Sequence, residues 1–207
     1  MDQFDILKYV NVPNRIIYNL RKVYYELPDP SSYYEKSLYI YGDVGSGKTI
    51  FAAHVLLHSI NNYPKNTIEY ILNRVDRSRN NEWYDPEYVP SMKYWFCKML
   101  SLFNSIKKTF AKDYEGESES KIVDKCIKAQ LLVIDDLGIE ITNDWSRQNL
   151  HYIIGSRYDN MSPTIFTSNL SLLDLSDKLQ DSRIPSRIVE MCEGNILELG
   201  NIDKRIK

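Results

Sequence analysis

The strongest constraint on this chain is the stretch "SLYIYGDVGSGKTIFAAHVLL", which runs from Ser37 to Leu57. It places a β-branched and aromatic run before a glycine-rich turn and an apolar helical stretch. The turn fits G-x-x-x-x-G-K-[ST] without a mismatch. Such a loop surrounds phosphate oxygens with backbone N–H groups and with the positive N-terminus of the next helix. The sequence therefore predicts a nucleotide site made of Gly42, Asp43, Val44, Gly45, Ser46, Gly47, Lys48 and Thr49.

Metal chemistry is predicted from this loop together with a second strand. The Lys48 ammonium is expected to reach the β- and γ-phosphates, and the Thr49 hydroxyl to ligate Mg²⁺. The run "AQLLVIDDLG" is a buried strand that ends in Asp135 and Asp136. Since ligands meet the carboxyl ends of parallel strands, Asp135 is expected beside Thr49, holding Mg²⁺ through water. Asp136 is then placed to polarise an attacking water; the alternative for this pair is a helix N-cap.

Two further segments predict groups that respond to the nucleotide. The strand "PTIFTSN" ends in Asn169, whose amide can orient the attacking water or sense the γ-phosphate, although "TSN" also makes a good turn. The charged segment "DSRIPSRIVEMC" carries Arg183 and Arg187. These arginines form either a solvated helix face or an arginine finger for a neighbouring subunit's γ-phosphate.

The alternation of strand and helix signals predicts an α/β fold, a parallel sheet covered by helices on both faces. Strands are predicted at Leu38–Tyr41, Thr67–Leu72, Leu131–Ile134, Thr164–Thr167 and Ile196–Leu199. Helices are predicted at Lys48–Ile60, Met92–Phe110, Trp145–Tyr158 and Leu172–Lys178. The polar segments Asn73–Ser91 and Asp113–Ser120 are expected to be loops.

Composition narrows the class of protein further. The 207 residues include 26 basic and 28 acidic side chains, a net charge of −2, so any nucleic-acid contact must come from a local patch. Three cysteines stand singly without a CxxC pair, which argues against a zinc module and for a reducing, cytoplasmic setting. No apolar run approaches the ~18 residues of a membrane span, so no membrane association is expected.

These motifs together make the chain resemble the AAA+ ATPases, and more narrowly the DnaC/DnaI-type helicase loaders and the related IstB transposition helpers. The resemblance covers the chain from about Val12 onward and rests on "LYIYGDVGSGKT", "LLVIDDLGIE", "IIGSRY", "PTIFTSNL" and "RIPSRI" in that order. It implies that Asp136, Asn169 and Arg187 are catalytic, with Arg187 as the arginine finger. The Arg157-Tyr158 pair also matches a family signature, but neither charge nor spacing assigns a role to Arg157 or to Arg183.

The resemblance also implies partners and boundaries. It predicts an ATPase that uses ATP and Mg²⁺, self-associates through the arginine finger, and contacts a replicative helicase and single-stranded DNA during replication. Two units are expected: a short helical segment at 1–36 and an AAA+ domain at 37–207, without a full C-terminal helical lid. The alternative within the same family is an IstB-like transposase helper that acts on duplex DNA.

The segment Met92–Phe110 is the candidate DNA contact. Met92, Phe96, Met99, Phe103, Ile106 and Phe110 would share one face of a helix, and Lys93, Lys98, Lys107, Lys108 and Lys112 would spread over the rest. In the resembling family this region lines a path for single-stranded DNA. Lysines next to Tyr94 and Trp95 could supply phosphate contacts and base stacking, and a solvated helix face explains the lysines nearly as well.

Other chemistries find less support in the sequence. A GTPase would need an N-K-x-D segment, and none occurs; a kinase would need an arginine-rich lid, for which Asp76–Arg79 is a thin candidate. His54 and His58 have the i, i+4 spacing of a metal site, but no Glu stands at position 55 and no third ligand is evident. The histidines are therefore expected to be packing or surface residues.

Overall fold

The computed structural model describes residues 3–33, 36–62, 94–111, 113–138 and 144–200. Five strands form one sheet: β1 Leu38–Tyr41, β2 Tyr94–Lys98, β3 Leu131–Leu137, β4 Thr164–Ser168 and β5 Ile196–Glu198. The order across the sheet is β2-β3-β4-β1-β5, and every pairing is parallel. The parallel α/β fold predicted from the sequence is confirmed.

Seven α-helices connect and cover the strands within the described residues. They are α1 Asn14–Val23, α2 Lys48–Asn61, α3 Met99–Lys108, α4 Glu119–Lys128, α5 Asp144–Asp159, α6 Leu172–Leu179 and α7 Arg183–Cys192. Short 3₁₀ helices lie at Gln3–Lys8, Tyr24–Glu26 and Pro30–Tyr33. Within this described part of the chain, no helix is long and apolar enough to cross a lipid bilayer.

The period of two along each strand divides the core into two layers. Leu38 and Ile40 face the layer formed with α1, α2 and the N-terminal 3₁₀ helix, and Tyr39 faces the opposite layer. That second layer holds α3 to α7 and includes Ile134 and Phe166. Because both faces are covered, the central strands are apolar along nearly their whole length, as in other buried parallel sheets.

The segment predicted as one helix, Met92–Phe110, is wrong in its first half. Residues Tyr94–Lys98 form the edge strand β2, and the helix begins only at Met99. The aromatic run "YWFC" favours a strand, and pairing with β3 outweighs the helical spacing of the apolar residues. The predicted strand Thr67–Leu72 and the loop Asn73–Ser91 lie outside the described residues. Helix α4, capped by the Ser118 hydroxyl, was not predicted from the sequence.

Arg157, whose role the sequence left open, holds together the end of the sheet where the strands begin. Its side chain is fully buried, and Nη1 donates to the carbonyl oxygens of Cys126, Ile127 and Ala129 at 2.8, 3.1 and 2.8 Å. Nε donates to Thr164 Oγ1 at 2.8 Å, and Nη2 donates to a further backbone carbonyl. Helix C-termini leave carbonyls without partners, so this guanidinium caps α4 and joins it to β4. Arg157 is a structural residue.

Candidate nucleotide site

The glycine-rich loop joins the end of β1 to the first turn of α2. Gly47 precedes the helix with φ 100°, a left-handed conformation that favours glycine. Gly42 has φ 138°, and a Cβ there would lie 2.1 Å from the carbonyl oxygen of Leu199. No side chain fits in that space. The first glycine of the motif is therefore required by the chain segment that follows β5 as well as by the loop itself.

Lys48 is held inside this loop. Its side chain is buried, and Nζ donates to the carbonyl oxygens of Gly42 and Asp43, both at 2.6 Å. A lysine in this position places its ammonium where the loop would close around phosphate oxygens. The structure thus brings the predicted phosphate-binding lysine to the centre of the loop.

Thr49, Asp135 and Thr167 meet at the carboxyl edge of the sheet. The Thr49 hydroxyl donates to Asp135 Oδ1 at 2.7 Å, and the Thr167 hydroxyl donates to the same oxygen at 2.7 Å. Strand β4 lies between β1 and β3, so its Thr167 can bridge the phosphate loop and the strand of aspartates. Thr167 also accepts a hydrogen bond from the Asp136 N–H at 3.0 Å. The predicted proximity of Thr49 and Asp135 is present.

Asp135 combines full burial with an incomplete set of partners. Its Oδ2 is buried and makes no hydrogen bond to the described residues, whereas Oδ1 accepts two. Burial raises the pKa of this carboxyl, and the neighbouring Asp136 raises it further, against the two threonine hydrogen bonds. A buried carboxylate oxygen that accepts no hydrogen bond is unusual, because its desolvation is offset only in part, here by the Lys98 ammonium at 3.7 Å. It is the kind of ligand that a divalent cation satisfies.

The residues present fit Mg²⁺. Thr49 supplies a hydroxyl and Asp135 a carboxylate, both oxygen donors, and Mg²⁺ in such sites takes its other ligands from water and phosphate. The described residues contain no cluster of three His, Cys, Asp or Glu side chains that could hold a metal alone. Any Mg²⁺ here would therefore depend on the nucleotide for part of its coordination.

Asp136 stands one residue further on, in a strained turn of the strand. Its φ is 62°, and β3 carries one extra residue relative to β4 between Ile134 and Leu137. This bulge rotates the Asp136 carboxylate out of the sheet, where 40% of the side chain is exposed. The predicted water-polarising carboxylate therefore borders solvent beside the buried Asp135.

Lys98 also belongs to this site. It was predicted to lie on the face of a helix, so no role beside the aspartates was expected. It is the last residue of β2 and is paired in register with Asp135. Its Nζ lies 3.7 Å from Asp135 Oδ2 and 3.8 Å from Asp136 Oδ2. The ammonium thus bridges the two carboxylates. One feature of the sequence could have predicted this role of Lys98. The run before it is able to form a strand, and a lysine at the end of a strand can meet aspartates at the end of the neighbouring strand.

Asn169 follows β4 and is half-buried, with no hydrogen bond from its amide to the described residues. The neighbouring hydroxyl of Ser168 instead donates to Leu137 O at 2.7 Å and fixes the turn. Leu170 N–H donates back to that hydroxyl at 3.0 Å. The Asn169 side chain therefore lies at the carboxyl edge of the sheet, and its amide makes no hydrogen bond to the residues that fix this turn.

Arg187 and Arg183 lie on α7, and their described contacts are away from the loop. The Arg187 guanidinium carbon is 5.8 Å from the centre of the Tyr158 ring, and Gly155 on α5 leaves room for it, since a Cβ there would be 2.9 Å from Nη1. Arg183 makes a two-pronged contact with Asp181 through Nε at 3.0 Å and Nη2 at 2.8 Å. Arg183 is thus engaged within its own subunit.

The candidate DNA surface differs from the one expected. Tyr94 is buried, with its hydroxyl donating to Ser59 O at 3.4 Å, so it cannot stack on a base. Lys98 is engaged at the aspartates, as described above. Lys93 and the side chain of Lys112 lie outside the described residues. The lysines that remain on the helix are Lys107 and Lys108.

Lys107 stands beside the partly buried ring of Trp145, which contacts the exposed ring of Phe110. Lys107 Nζ is 5.6 Å from the centre of the Trp145 ring. Phe110, 60% exposed, meets the same indole edge-on at 6.1 Å. Lysines combined with rings able to stack on bases are typical of surfaces that bind single strands.

His54, the first of the two histidines on α2, is a packing residue. His54 is buried against the Tyr24 ring at 4.8 Å, and burial lowers its pKa. Its Nδ1 has no hydrogen-bond partner among the described residues. No group of three ligating side chains includes it within the described residues.

Comparisons with known proteins agree with this arrangement. The family model "IstB-like ATP binding protein" matches residues 91–202, more than half of the chain, which include both aspartates, Asn169 and Arg187. A comparison with curated proteins found no match.

Solved structures with the same fold come from replication proteins. The crystal structure of the DnaC helicase loader is similar with a TM-score of 0.57 and 25% identity, covering 90% of this chain and 89% of that chain. The crystal structure of DnaI gives 0.54 and 20%, covering 94% and 90%. The replication initiator DnaA bound to AMPPCP and single-stranded DNA gives 0.50 and 16%, covering 92% and 47%. The chain belongs to the IstB-like family of ATP-binding proteins, with the AAA+ fold of the helicase loaders.

Proposed function

We propose that this protein is a Mg²⁺-dependent ATPase of the helicase-loader type, whose ATP state controls self-assembly and contact with a replicative helicase and single-stranded DNA. The observation that carries the proposal is the cluster in which Thr49 and Thr167 both donate to Asp135 beside the loop that holds Lys48. Within it, the AAA+ domain spans residues 37–207, preceded by the helical segment 1–36.

The nucleotide would bind with its phosphates in the loop Gly42–Thr49. Lys48 would exchange its two carbonyl contacts for phosphate oxygens, and Thr49 with Asp135 would hold Mg²⁺, which neutralises charge on the transferred phosphoryl group. Asp136 would accept the proton of the attacking water, and the Asn169 amide would orient that water. Each of these side chains lies at the carboxyl edge of β1, β3 or β4.

Arg187 would complete the site of a neighbouring subunit. Its own contacts, the Tyr158 ring and the space above Gly155, lie on the α5–α7 surface away from the loop of its own chain, which supports a role in trans. Arg183 is a poorer candidate because Asp181 already binds its guanidinium. An arginine supplied by a second subunit ties turnover to assembly.

Single-stranded DNA would contact the surface formed by Lys107, Lys108, Phe110 and Trp145. Ammonium groups supply phosphate contacts, and the exposed Phe110 ring offers a stacking surface. The family match favours one further candidate, an IstB-like transposase helper that acts on duplex DNA. The two functions differ in the form of DNA that the ATP-bound protein prefers.

Calorimetry with ATP and Mg²⁺ tests the nucleotide site. Wild-type protein should bind, and Lys48→Ala protein should not, because no other described cation lies inside the loop. Lys121→Ala, an exposed lysine on α4, is the matched control and should bind like wild type. Equal ATP affinity in Lys48→Ala and wild type would refute the proposal.

Fluorescence anisotropy separates the two DNA-binding functions. Labelled single-stranded and duplex oligonucleotides are titrated with ATP-bound and ADP-bound protein. A loader should prefer the single strand in its ATP form and lose affinity when Lys107 and Lys108 are both replaced by alanine; a transposase helper should prefer the duplex. Light scattering in the same samples should show ATP-dependent assembly that Arg187→Ala removes. Binding that is equal in ATP and ADP, or absent in both, leaves a switch that acts only on proteins.

A further inference from the structure

Arg187 differs from the two arginines described above in how its guanidinium is held. Arg157 donates from all three nitrogens, and Arg183 is paired with Asp181. Arg187 makes no hydrogen bond and no ion pair with the described residues, and its guanidinium carbon lies over the Tyr158 ring, 5.8 Å from the ring centre. A ring face attracts a cation through its quadrupole and uses none of the cation's N–H donors. The five N–H donors of Arg187 are therefore left for an anion from outside.

Gly155 provides the space that this guanidinium occupies. It lies inside α5, a helix of 16 residues, at a position where alanine would favour the helix more. A Cβ at Gly155 would lie 2.9 Å from Arg187 Nη1 and 3.7 Å from Cζ. The nearer atom is the end of a long flexible side chain, so an added methyl group would displace the guanidinium and leave the helix in place. Gly155 thus determines where the guanidinium of Arg187 lies.

Glu190 is the carboxylate that could pair with Arg187 on its own helix. It follows Arg187 on α7 at the i, i+3 spacing at which opposite charges meet. The two side chains form no ion pair in this structure, and the Glu190 carboxylate instead accepts a hydrogen bond from the Tyr158 hydroxyl. Tyr158 therefore acts at both ends of its side chain: the ring faces the guanidinium, and the hydroxyl engages the competing carboxylate.

We propose that Gly155 and Tyr158 are positioning residues for Arg187, and that the Tyr158 hydroxyl keeps Glu190 from pairing with it. The guanidinium is then held unpaired and in place for the γ-phosphate bound by a second copy of this chain. A side chain that is already placed, with its donors unused, gives up less on meeting that phosphate. This inference rests on the proposed function of Arg187 as an arginine finger, because both residues act through Arg187.

Steady-state ATP turnover of the full-length protein tests the role of the hydroxyl. Tyr158→Phe keeps the ring and frees Glu190 to pair with Arg187, so turnover should fall by about 2- to 5-fold, the range open to an exposed ion pair. Glu190→Gln, whose amide oxygen still accepts from the hydroxyl, should turn over ATP like wild type. Combining Tyr158→Phe with Glu190→Gln should recover most of the loss, because no carboxylate is left to pair. Tyr25→Phe, at a tyrosine that is 92% exposed, is the matched control and should leave turnover unchanged.

Gly155→Ala tests the position of the guanidinium separately from folding. Turnover should fall by about 10-fold or more, because a small displacement of a reacting group is costly. The urea midpoint and the ATP affinity should be no lower than in wild type, since alanine favours the helix and the phosphate loop is unchanged. Mixing with Asp136→Asn protein should restore turnover, because that protein supplies an intact finger. Mixing with Arg187→Ala protein should not, since neither subunit then supplies one.

The outcomes separate this inference from the function on which it rests. If Arg187→Ala loses turnover while Tyr158→Phe and Gly155→Ala keep it, the positioning role is overturned. An equal loss in Tyr158→Phe with and without Glu190→Gln overturns the part assigned to Glu190. A lowered urea midpoint in Gly155→Ala, without recovery in the mixture with Asp136→Asn, assigns the glycine to folding and overturns its role here. Wild-type turnover in Arg187→Ala, or no turnover in wild type, instead refutes the proposed function.

Discussion

Two fully buried charged groups lie at opposite ends of the sheet, and they differ in how completely they are bonded. Arg157, where the strands begin, donates from all three guanidinium nitrogens to four carbonyls and one hydroxyl. Asp135, where the strands end, leaves Oδ2 without a hydrogen bond among the described residues. A satisfied buried charge fixes structure, whereas an unsatisfied one keeps its binding capacity for a ligand.

The same contrast extends to their neighbours. Around Arg157 the partners are backbone carbonyls of α4 and of the segment before β4, which cannot rearrange without unfolding. Around Asp135 the partners are the side chains of Thr49, Thr167 and Lys98, which can move when a metal and a nucleotide arrive. The difference predicts that substitutions at the first end act on stability and those at the second on chemistry.

Replacing Arg157 should have the largest effect. Arg157→Met keeps the length of the side chain but takes a donor from five acceptors, of which Pro163 O keeps its bond from the Leu132 N–H and Thr164 Oγ1 keeps its bond to Ser162 O. We therefore expect a loss of at least ~3 kcal/mol in the free energy of unfolding. Domains of this kind are stable by about 5–15 kcal/mol, so the variant would be marginal or unfolded. Urea denaturation followed by circular dichroism measures the loss.

The control is Arg15→Met on the exposed face of α1, which should change the free energy of unfolding by less than about 0.5 kcal/mol. If Arg157→Met is as stable as this control, the acceptors around the guanidinium are satisfied without it. The comparison between the two ends would then fail.

Replacing Asp136 should act on chemistry alone. Asp136→Asn keeps the size of the side chain and removes the carboxylate that would accept the proton from water. We expect ATP still to bind while turnover falls by roughly 10²-fold or more. Steady-state ATPase assays together with calorimetry measure both quantities. Asp159→Asn, exposed at the end of α5, is the control; wild-type turnover in Asp136→Asn would assign the role of base elsewhere.

Part of this difference between the two ends of the sheet could be predicted from the sequence. The G-x-x-x-x-G-K-[ST] motif and the apolar strand ending in two aspartates predict that Thr49 and Asp135 lie close together, since the strands of a parallel sheet all end at one edge. The role of Arg157 could not be predicted, because its acceptors are carbonyls up to 31 residues away in the chain. Backbone carbonyls carry no signal of residue type.

Lys98 is the residue of the candidate site that the sequence did not predict, and the reason is local. The apolar residues of the segment 92–110 fit a helix, yet the five successive residues Tyr94–Lys98 form a strand because they pair with β3 at the edge of the sheet. Once Tyr94–Lys98 is a strand, the parallel register alone places Lys98 opposite Asp135. Local periodicity was the wrong guide where tertiary pairing decided the structure.

Replacing Lys98 should have a smaller effect, on metal binding. The ammonium lies within 4 Å of both carboxylates and competes with a divalent cation for them. Lys98→Met should therefore lower the Mg²⁺ concentration at half-maximal turnover by about 3- to 10-fold. Lys125→Met, whose ammonium pairs with Glu117 on the surface, should leave it unchanged. A raised Mg²⁺ requirement in Lys98→Met would mean that the lysine assists nucleotide binding rather than opposing the metal.

The smallest expected effect tests the same contrast at Asp135, since removing its buried charge should stabilise the fold. Burial raises the pKa of this carboxyl above its unfolded value of 3.8, so the folded protein favours the protonated form. Ionised Asp135 then reduces the stability at pH 7, and this reduction is relieved as pH falls toward about 4. Asp135→Asn removes the charge while its amide oxygen can still accept from Thr49 and Thr167.

Without nucleotide or metal, we therefore expect Asp135→Asn to be more stable than wild type by about 1 kcal/mol at pH 7. The difference should shrink as pH is lowered toward 4, because wild-type Asp135 becomes protonated. Urea midpoints of the two proteins at several pH values measure this, and Asp177→Asn, at an exposed residue of α6, controls for a general change in charge. A variant less stable than wild type at pH 7 would show that Oδ2 is already compensated, and that the two ends of the sheet are alike in their bonding.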